Sequence, residues 1–297
     1  MNKSRISQSL RRYPLIIFFG LAIVFTWANW VPRALVSRGI IDLAVPDFLS
    51  LVAGYGPALA AIIVTSLVSG KAGLRQLFRR LVLWRVGIQW YVVVLFLPAA
   101  TMLTALGLHL LFGGTTPSIT NPPTLQLGLP DIPLWQQTLL LMLMFTLGFD
   151  GLGEELGWRG YALPQLLSRH SALAASLILG VVWALWHLPY ALTLGSVMSD
   201  RPFYAYVPGM LASAILFTWI FNNTKGSILM AILYHAAGNV TANVLPVLAP
   251  GVNHAAAWGM IVQWAAAIAV VLFFGPAHLS KRIPAVAPDP AVLHSNL

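Results

Sequence analysis

Apolar stretches of about bilayer length recur along almost the whole chain, and that recurrence constrains its fold more than any other feature. A helix needs roughly 20 apolar residues to cross the hydrocarbon core, because each residue advances only about 1.5 Å. There is no water in that core, so the backbone must bond to itself, as a helix does. Eight candidate spans emerge: 14–33, 48–69, 88–112, one that begins near Pro133 and runs past Asp150, 171–194, 207–222, 226–249 and 255–275. The first apolar run, Tyr13 to Val31, is too long for a signal peptide and no A-x-A-like cleavage site follows it, which predicts a retained span. In the second, the small residues Gly54, Gly56, Ala58, Ala60 and Ala61 are suited to close helix contact. Composition agrees: 58% of the 297 residues are hydrophobic and 8% charged, against about 25% charged in soluble domains. The fold class is therefore all-α, a polytopic membrane protein of about eight transmembrane helices. One membrane domain covers 1–280, with its motif core at 135–250, and the Pro-rich tail 281–297 reads as disordered. The absence of cysteine excludes disulfides, thiolate metal sites and a Cys nucleophile.

The net charge of +9 is explained by topology. With the N-terminus inside, 14 of the 17 basic residues fall on the cytoplasmic side, in the loops, the N-terminal tail and the C-terminal flank. Outside loops hold only Arg33, Arg38 and Arg201. This is the positive-inside pattern, with both termini cytoplasmic. It predicts an integral multi-pass protein, in a bacterial cell (inner) membrane. The segment 71–86 alternates Lys71, Arg75, Arg79, Arg80 and Arg85 with Leu74, Leu77, Phe78, Leu81 and Leu83. It is expected to lie along the inner surface against anionic lipid, and no nucleic acid is needed to explain the charge.

Charged residues inside spans are costly, at least about 2.5–3.5 kcal/mol each on insertion scales, so they mark function. The chain has eight acids, and two adjoin in GLGEELGWRG. Arg159 follows Glu155 at i+4, so the two can pair on one helix face, and a bidentate grip is expected. Glu154 projects about 100° away. Asp150 lies one turn before Glu154, and the two repel if both are charged. Taken alone, these residues also fit the cytoplasmic end of a helix. Two further segments argue against that: Trp183 to His187 on the fifth span, and His235 with Asn239 on one face of the seventh. His109 has no such company and reads as structural or interfacial.

Depth gives a check. Glu154 and His187 are equidistant from the polar break Ser168 to Ser171, roughly 24 Å from it. His235 lies only nine residues beyond Gly226, so all three meet only if the fourth helix continues, kinked at Pro164, below the membrane surface.

Two chemistries suit these groups. A carboxylate and a histidine can deprotonate water while a second histidine and an asparagine amide stabilise an oxyanion. Alternatively Glu154, His187 and His235 are candidate ligands of a catalytic zinc. The first needs no cofactor and is the reading adopted. No H-E-x-x-H, G-x-S-G or G-x-G-D occurs, which disfavours zinc site-2, rhomboid and aspartyl intramembrane peptidases.

The three segments together resemble the CPBP family, which groups Abi-like bacteriocin-processing and immunity proteins with type II CAAX prenyl endopeptidases. Its EExxxR, FxxxH and HxxxN pattern is matched by Glu154-Glu155 with Arg159, Trp183 with His187, and His235 with Asn239. Trp183 stands where Phe is usual. The resemblance covers roughly 135–250. It implies a membrane-embedded endopeptidase acting on a membrane protein or peptide, lipid-modified or not. Glu154 and His187 would activate water, Glu155 and Arg159 would hold the base, and His235 and Asn239 would form the oxyanion site. The alternatives are a proton- or ion-coupled transporter, which would show inverted repeats or paired broken helices, and a non-catalytic scaffold or immunity factor. Topology has a direct test. Reporter fusions after residues 120 and 200 should read outside, and after 80 and 225 inside; one clear reversal removes the eight-span map.

Overall fold

The computed structural model describes residues 12–46, 48–115, 132–199, 202–245 and 253–281, and every regular element among them is helical. In chain order these are α1 (Pro14–Ser37), α2 (Phe48–Gly54), α3 (Gly56–Leu81), α4 (Ile88–Leu111), α5 (Leu134–Leu147), a broken helix α6 (149–167), α7 (Ala172–Trp186), α8 (Leu188–Ala191), α9 (Phe203–Asn223), α10 (Ile228–Val244) and α11 (Asn253–Phe274). Five stretches are long and apolar enough to cross a membrane: Pro14–Ser37, Gly56–Leu81, Ile88–Leu111, Phe203–Asn223 and Ala257–Phe274. The chain is a polytopic membrane protein.

The helices that carry the three motifs are not among those five. Helix α7 has 15 residues, α10 has 17, and α6 is interrupted. At about 1.5 Å per residue, α7 and α10 fall short of the hydrocarbon thickness. The longer helices enclose them. Helix α10 packs against α4, α5, α6 and α9, while α1 pairs with α3 and α3 backs α6. Helices α4 and α11 pack on each other and turn Ile88, Val92, Phe96, Ile261, Ile268 and Leu272 outward. Large apolar side chains on the outside are what a hydrocarbon solvent permits.

Several expected spans are cut differently, each for a backbone reason. The expected helix 48–69 splits at Tyr55 into α2 and α3, because Pro57, in the first turn of α3, has no N–H to continue the bonding of α2. The Tyr55 hydroxyl donates to the Leu147 carbonyl at 2.6 Å, and Thr26 Oγ1 donates to Ala53 O at 2.7 Å, pinning this corner. Helix α3 kinks at Gly70, whose φ of 60° suits only glycine. Beyond it the basic stretch continues as helix to Leu81, with Lys71, Arg75 and Arg79 exposed and Leu77 buried. The expected fifth span 171–194 ends at Trp186, because Pro189 cannot carry α7 onward and opens α8 instead. The fourth span does not kink at Pro164. It breaks at Gly148 and resumes with π-helical turns at Phe149–Glu154 and Trp158–Ala162. Pro164 sits harmlessly in the first turn of Leu163–Leu167. The tail 282–297, most of the 113–134 loop, Lys3, Arg5, Arg11, Arg201 and residues 246–249 of the expected seventh span lie outside the described residues.

The small residues of 54–61 act as expected. A Cβ on Gly153 would sit 2.9 Å from the Gly54 carbonyl oxygen, and one on Gly157 2.5 Å from Pro57. Close backbone approach therefore presses α6 against the α2–α3 corner. Gly157→Ala should destabilise the protein by about 1–3 kcal/mol, the usual cost of overpacking, read as a lowered thermal midpoint in detergent. An unchanged midpoint would mean that α6 does not approach Pro57 this closely.

Candidate active site

Helix α6 presents its two glutamates in opposite company. Glu154 is 3% exposed and Glu155 is inaccessible. Glu154 Oε2 accepts the indole N–H of Trp158 at 3.2 Å and that of Trp183 at 2.5 Å. Glu155 Oε1 accepts from Arg159 Nη1 at 2.8 Å and lies 2.7 Å from His235 Nδ1. The π-helical turns on either side of Glu155 make this region wider than an ordinary helix, a departure that recurs at functional sites.

Arg159 is 1% exposed, and its grip on Glu155 is through one nitrogen, not two. The rest of the guanidinium lies over aromatic rings, 3.8 Å from the Phe217 centroid and 4.3 Å from that of Trp183. Cation–π attraction of this kind is strongest when both partners are desolvated. The expected bidentate geometry is thus replaced by one hydrogen bond and two ring faces.

His187 caps the end of α7. Its Nδ1 lies 2.9 Å from the Trp183 carbonyl oxygen, which can only accept, so Nδ1 carries the proton and Nε2 is left as the other ring position. The ring is boxed by Trp30, Trp186 and Tyr206 at centroid distances of 6.1, 4.6 and 5.8 Å. No hydrogen bond joins His187 to Glu154 among the described residues; Trp183 stands between them. The Trp183 ring is 6.1 Å from His187 and 5.7 Å from His235, so it links the two histidines as well.

Asn239, one turn beyond His235 on α10, donates from Nδ2 to Asp150 Oδ2 at 2.9 Å. The antiparallel register of α10 along α6 sets both contacts: His235 meets Glu155, and Asn239 meets Asp150 one turn farther along each helix. The depth problem posed by His235 is resolved in this way, since α6 starts inside the helix bundle and runs alongside α10. His109 takes no part: its Nε2 lies 3.2 Å from the Thr115 carbonyl oxygen at the end of α4.

All six sequence-derived residues therefore lie in one buried neighbourhood, His187 through Trp183. Trp158, Trp183, Phe217 and Asp150 complete it. The two indole donors were not expected; the signals for them were Trp158 at i+4 from Glu154 and, at 183, a tryptophan where the resembling family has phenylalanine. The candidate zinc ligands do not fit a three-ligand site. Among the described residues no three His, Asp or Glu side chains are grouped so as to hold a metal ion.

Residues 136–241 match the profile of the family described as type II CAAX prenyl endopeptidase, Rce1-like. Over these residues the chain is similar to Rce1-like endopeptidases. The matched residues include all three motifs. The CAAX prenyl protease 2 of Methanococcus maripaludis is 30% identical over 162 residues, 52% of this chain and 56% of that protein. The chain thus matches little more than half the length of that relative. These likenesses bear out the family resemblance of the motifs and favour a protease over a transporter.

The charge arrangement has a stability consequence. Arg159→Met leaves Glu155 buried without its cation, which should cost about 3–5 kcal/mol. Pairing it with Glu155→Gln removes the orphaned charge and should recover part of the loss. Thermal unfolding of both variants in detergent checks this, and a double variant no more stable than the single one would contradict it.

Proposed function

We propose that this chain is an intramembrane endopeptidase of the CAAX-protease type, working by glutamate- and histidine-activated water. The observation that carries the reading is the pairing of a second glutamate with Arg159 and His235 directly beside Glu154 in a buried site. Glu154 takes a proton from water, aided by His187 through Nε2. The water oxygen attacks the peptide carbonyl, and the oxyanion is met by the second N–H of Asn239 and by Nε2–H of His235, which acts as the imidazolium paired with Glu155 through Nδ1–H. Glu155 and Arg159 hold His235 and the α6 turn in place. The collapsing intermediate returns the proton to the leaving amine. No step requires a metal.

The substrate is a membrane-held peptide. A site built on short, enclosed helices is reached most readily by a chain already partitioned into the bilayer, and a prenyl group on a C-terminal CAAX segment does that. The name of the Methanococcus relative points to the same class. Anionic lipid is the partner of segment 71–86, where Arg75, Arg79 and Arg85 are exposed beside exposed Phe78 and Trp84. Eight spans with cytoplasmic termini complete the reading.

The test is cleavage of a quenched farnesylated CAAX peptide by full-length protein in liposomes. Glu154→Gln keeps the shape and removes the base, and should lower the rate about 10²–10⁴-fold with folding intact. Asn239→Ala should lower it about 10²–10³-fold. Chelator-treated protein should keep full activity. Activity lost on chelation and restored by zinc would replace this mechanism with a metal-dependent one. Normal cleavage by Glu154→Gln would end the glutamate reading.

A further inference from the structure

The two carboxylate oxygens of Glu154 are treated unequally. Oε2 accepts two indole N–H groups, one from Trp158 on the same helix and one from Trp183 on α7. No described side chain donates to Oε1. A carboxylate oxygen has about two lone-pair sites, so Oε2 is filled and Oε1 is not. Indole N–H is a donor only and cannot compete for the proton. Both rings are fixed by their surroundings. Trp158 is inaccessible and packs edge-on against Phe18 at 5.7 Å and Trp186 at 5.8 Å. Trp183 packs edge-on against Phe217 at 5.5 Å and carries the Arg159 guanidinium on its face.

We infer that Trp183, seconded by Trp158, is a positioning residue that clamps Oε2 of Glu154 and leaves Oε1 as the oxygen that receives the proton. The inference rests on the proposed role of Glu154. In the step concerned, a water O–H bond breaks, the proton passes to Oε1, and the oxygen electron pair forms the new bond to the carbonyl carbon. The proton leaves Oε1 for the amine when the C–N bond breaks. Trp183 serves both halves of the water site: its side chain holds Glu154, and its backbone carbonyl holds His187 Nδ1. Phenylalanine at this position would keep the second function and lose the first, so the departure from the resembling family is not a neutral exchange of aromatics.

The experiment uses full-length protein in liposomes and the farnesylated CAAX peptide. Trp183→Phe should lower kcat about 10- to 100-fold, the range for losing a hydrogen bond to a charged group, with KM little changed. Trp158→Phe should cost less, because its bond is longer. Trp183→Phe should add nothing in a Glu154→Gln background and its full loss in an Asn239→Ala background, since it acts only through the glutamate. A merely structural role would add equally in both. Ultraviolet resonance Raman, wild type minus Trp183→Phe, isolates one indole; its N–H marker should report a strong hydrogen bond that weakens in Glu154→Ala. Wild-type kcat in both phenylalanine variants, with Glu154→Gln inactive, overturns the clamp alone. Normal cleavage by Glu154→Gln overturns the base and the clamp together. If Trp183→Phe does not fold, Trp158→Phe carries the kinetic test and Glu154→Ala against wild type carries the Raman test. Unchanged kcat there, or a free-indole spectrum, removes the inference.

Discussion

Glu155 and Arg159 would each be expensive alone in hydrocarbon, and much of the site is arranged so that neither is alone. One hydrogen bond joins them, His235 shares the same carboxylate oxygen, and two aromatic faces cover the guanidinium. This compensation fixes the rotation of α6 and the register of α10 beside it. Given that register, Asn239 reaches Asp150 and the remaining face of α6 turns Glu154 toward α7. The catalytic reading of the neighbouring glutamate thus depends on a charge pair that does no chemistry in the proposed mechanism.

Length reinforces the same arrangement. Five helices are long and apolar enough to cross a membrane, and the short or broken ones carry the polar groups. Helix α7 ends at Trp186, and His187 occupies that end. Close backbone contact at Gly153 and Gly157 brings α6 against the α2–α3 corner, so the broken helix is held without bulky side chains.

Much of this was legible in the sequence. Apolar length alone located four of the five long helices and overlapped the fifth, α3, only in part, and spacing within EExxxR and HxxxN correctly paired Glu155 with Arg159 and set His235 and Asn239 on one face. The small-residue run 54–61 predicted its own contact. What escaped was local backbone irregularity. Hydropathy averages over the stretch GFDGLGEELG and reads one continuous span, whereas its glycines permit a break at Gly148 and wider turns beyond it. The indole donors escaped for another reason. Trp183 and Glu154 are 29 residues apart, and only the packing of α7 against α6 turns an aromatic match into a hydrogen bond. The single bond from Arg159 to Glu155 likewise depends on Phe217, a residue on α9 that no motif names.

The aromatic box around His187 has an optical consequence. Trp27 donates to the Trp186 carbonyl, Trp30 and Trp186 lie 4.6 Å apart, and Trp158 lies 5.8 Å from Trp186. Indoles this close, in fixed and unequal orientations, share excitation and give strong near-ultraviolet dichroism, a signal that vanishes when side-chain packing loosens. Their emission is sensitive to the nearby imidazole and to water entering beside it. Five of the chain's eleven tryptophans, Trp27, Trp30, Trp158, Trp183 and Trp186, belong to this cluster, so occupancy of the candidate site can be followed by their signal without attaching a label.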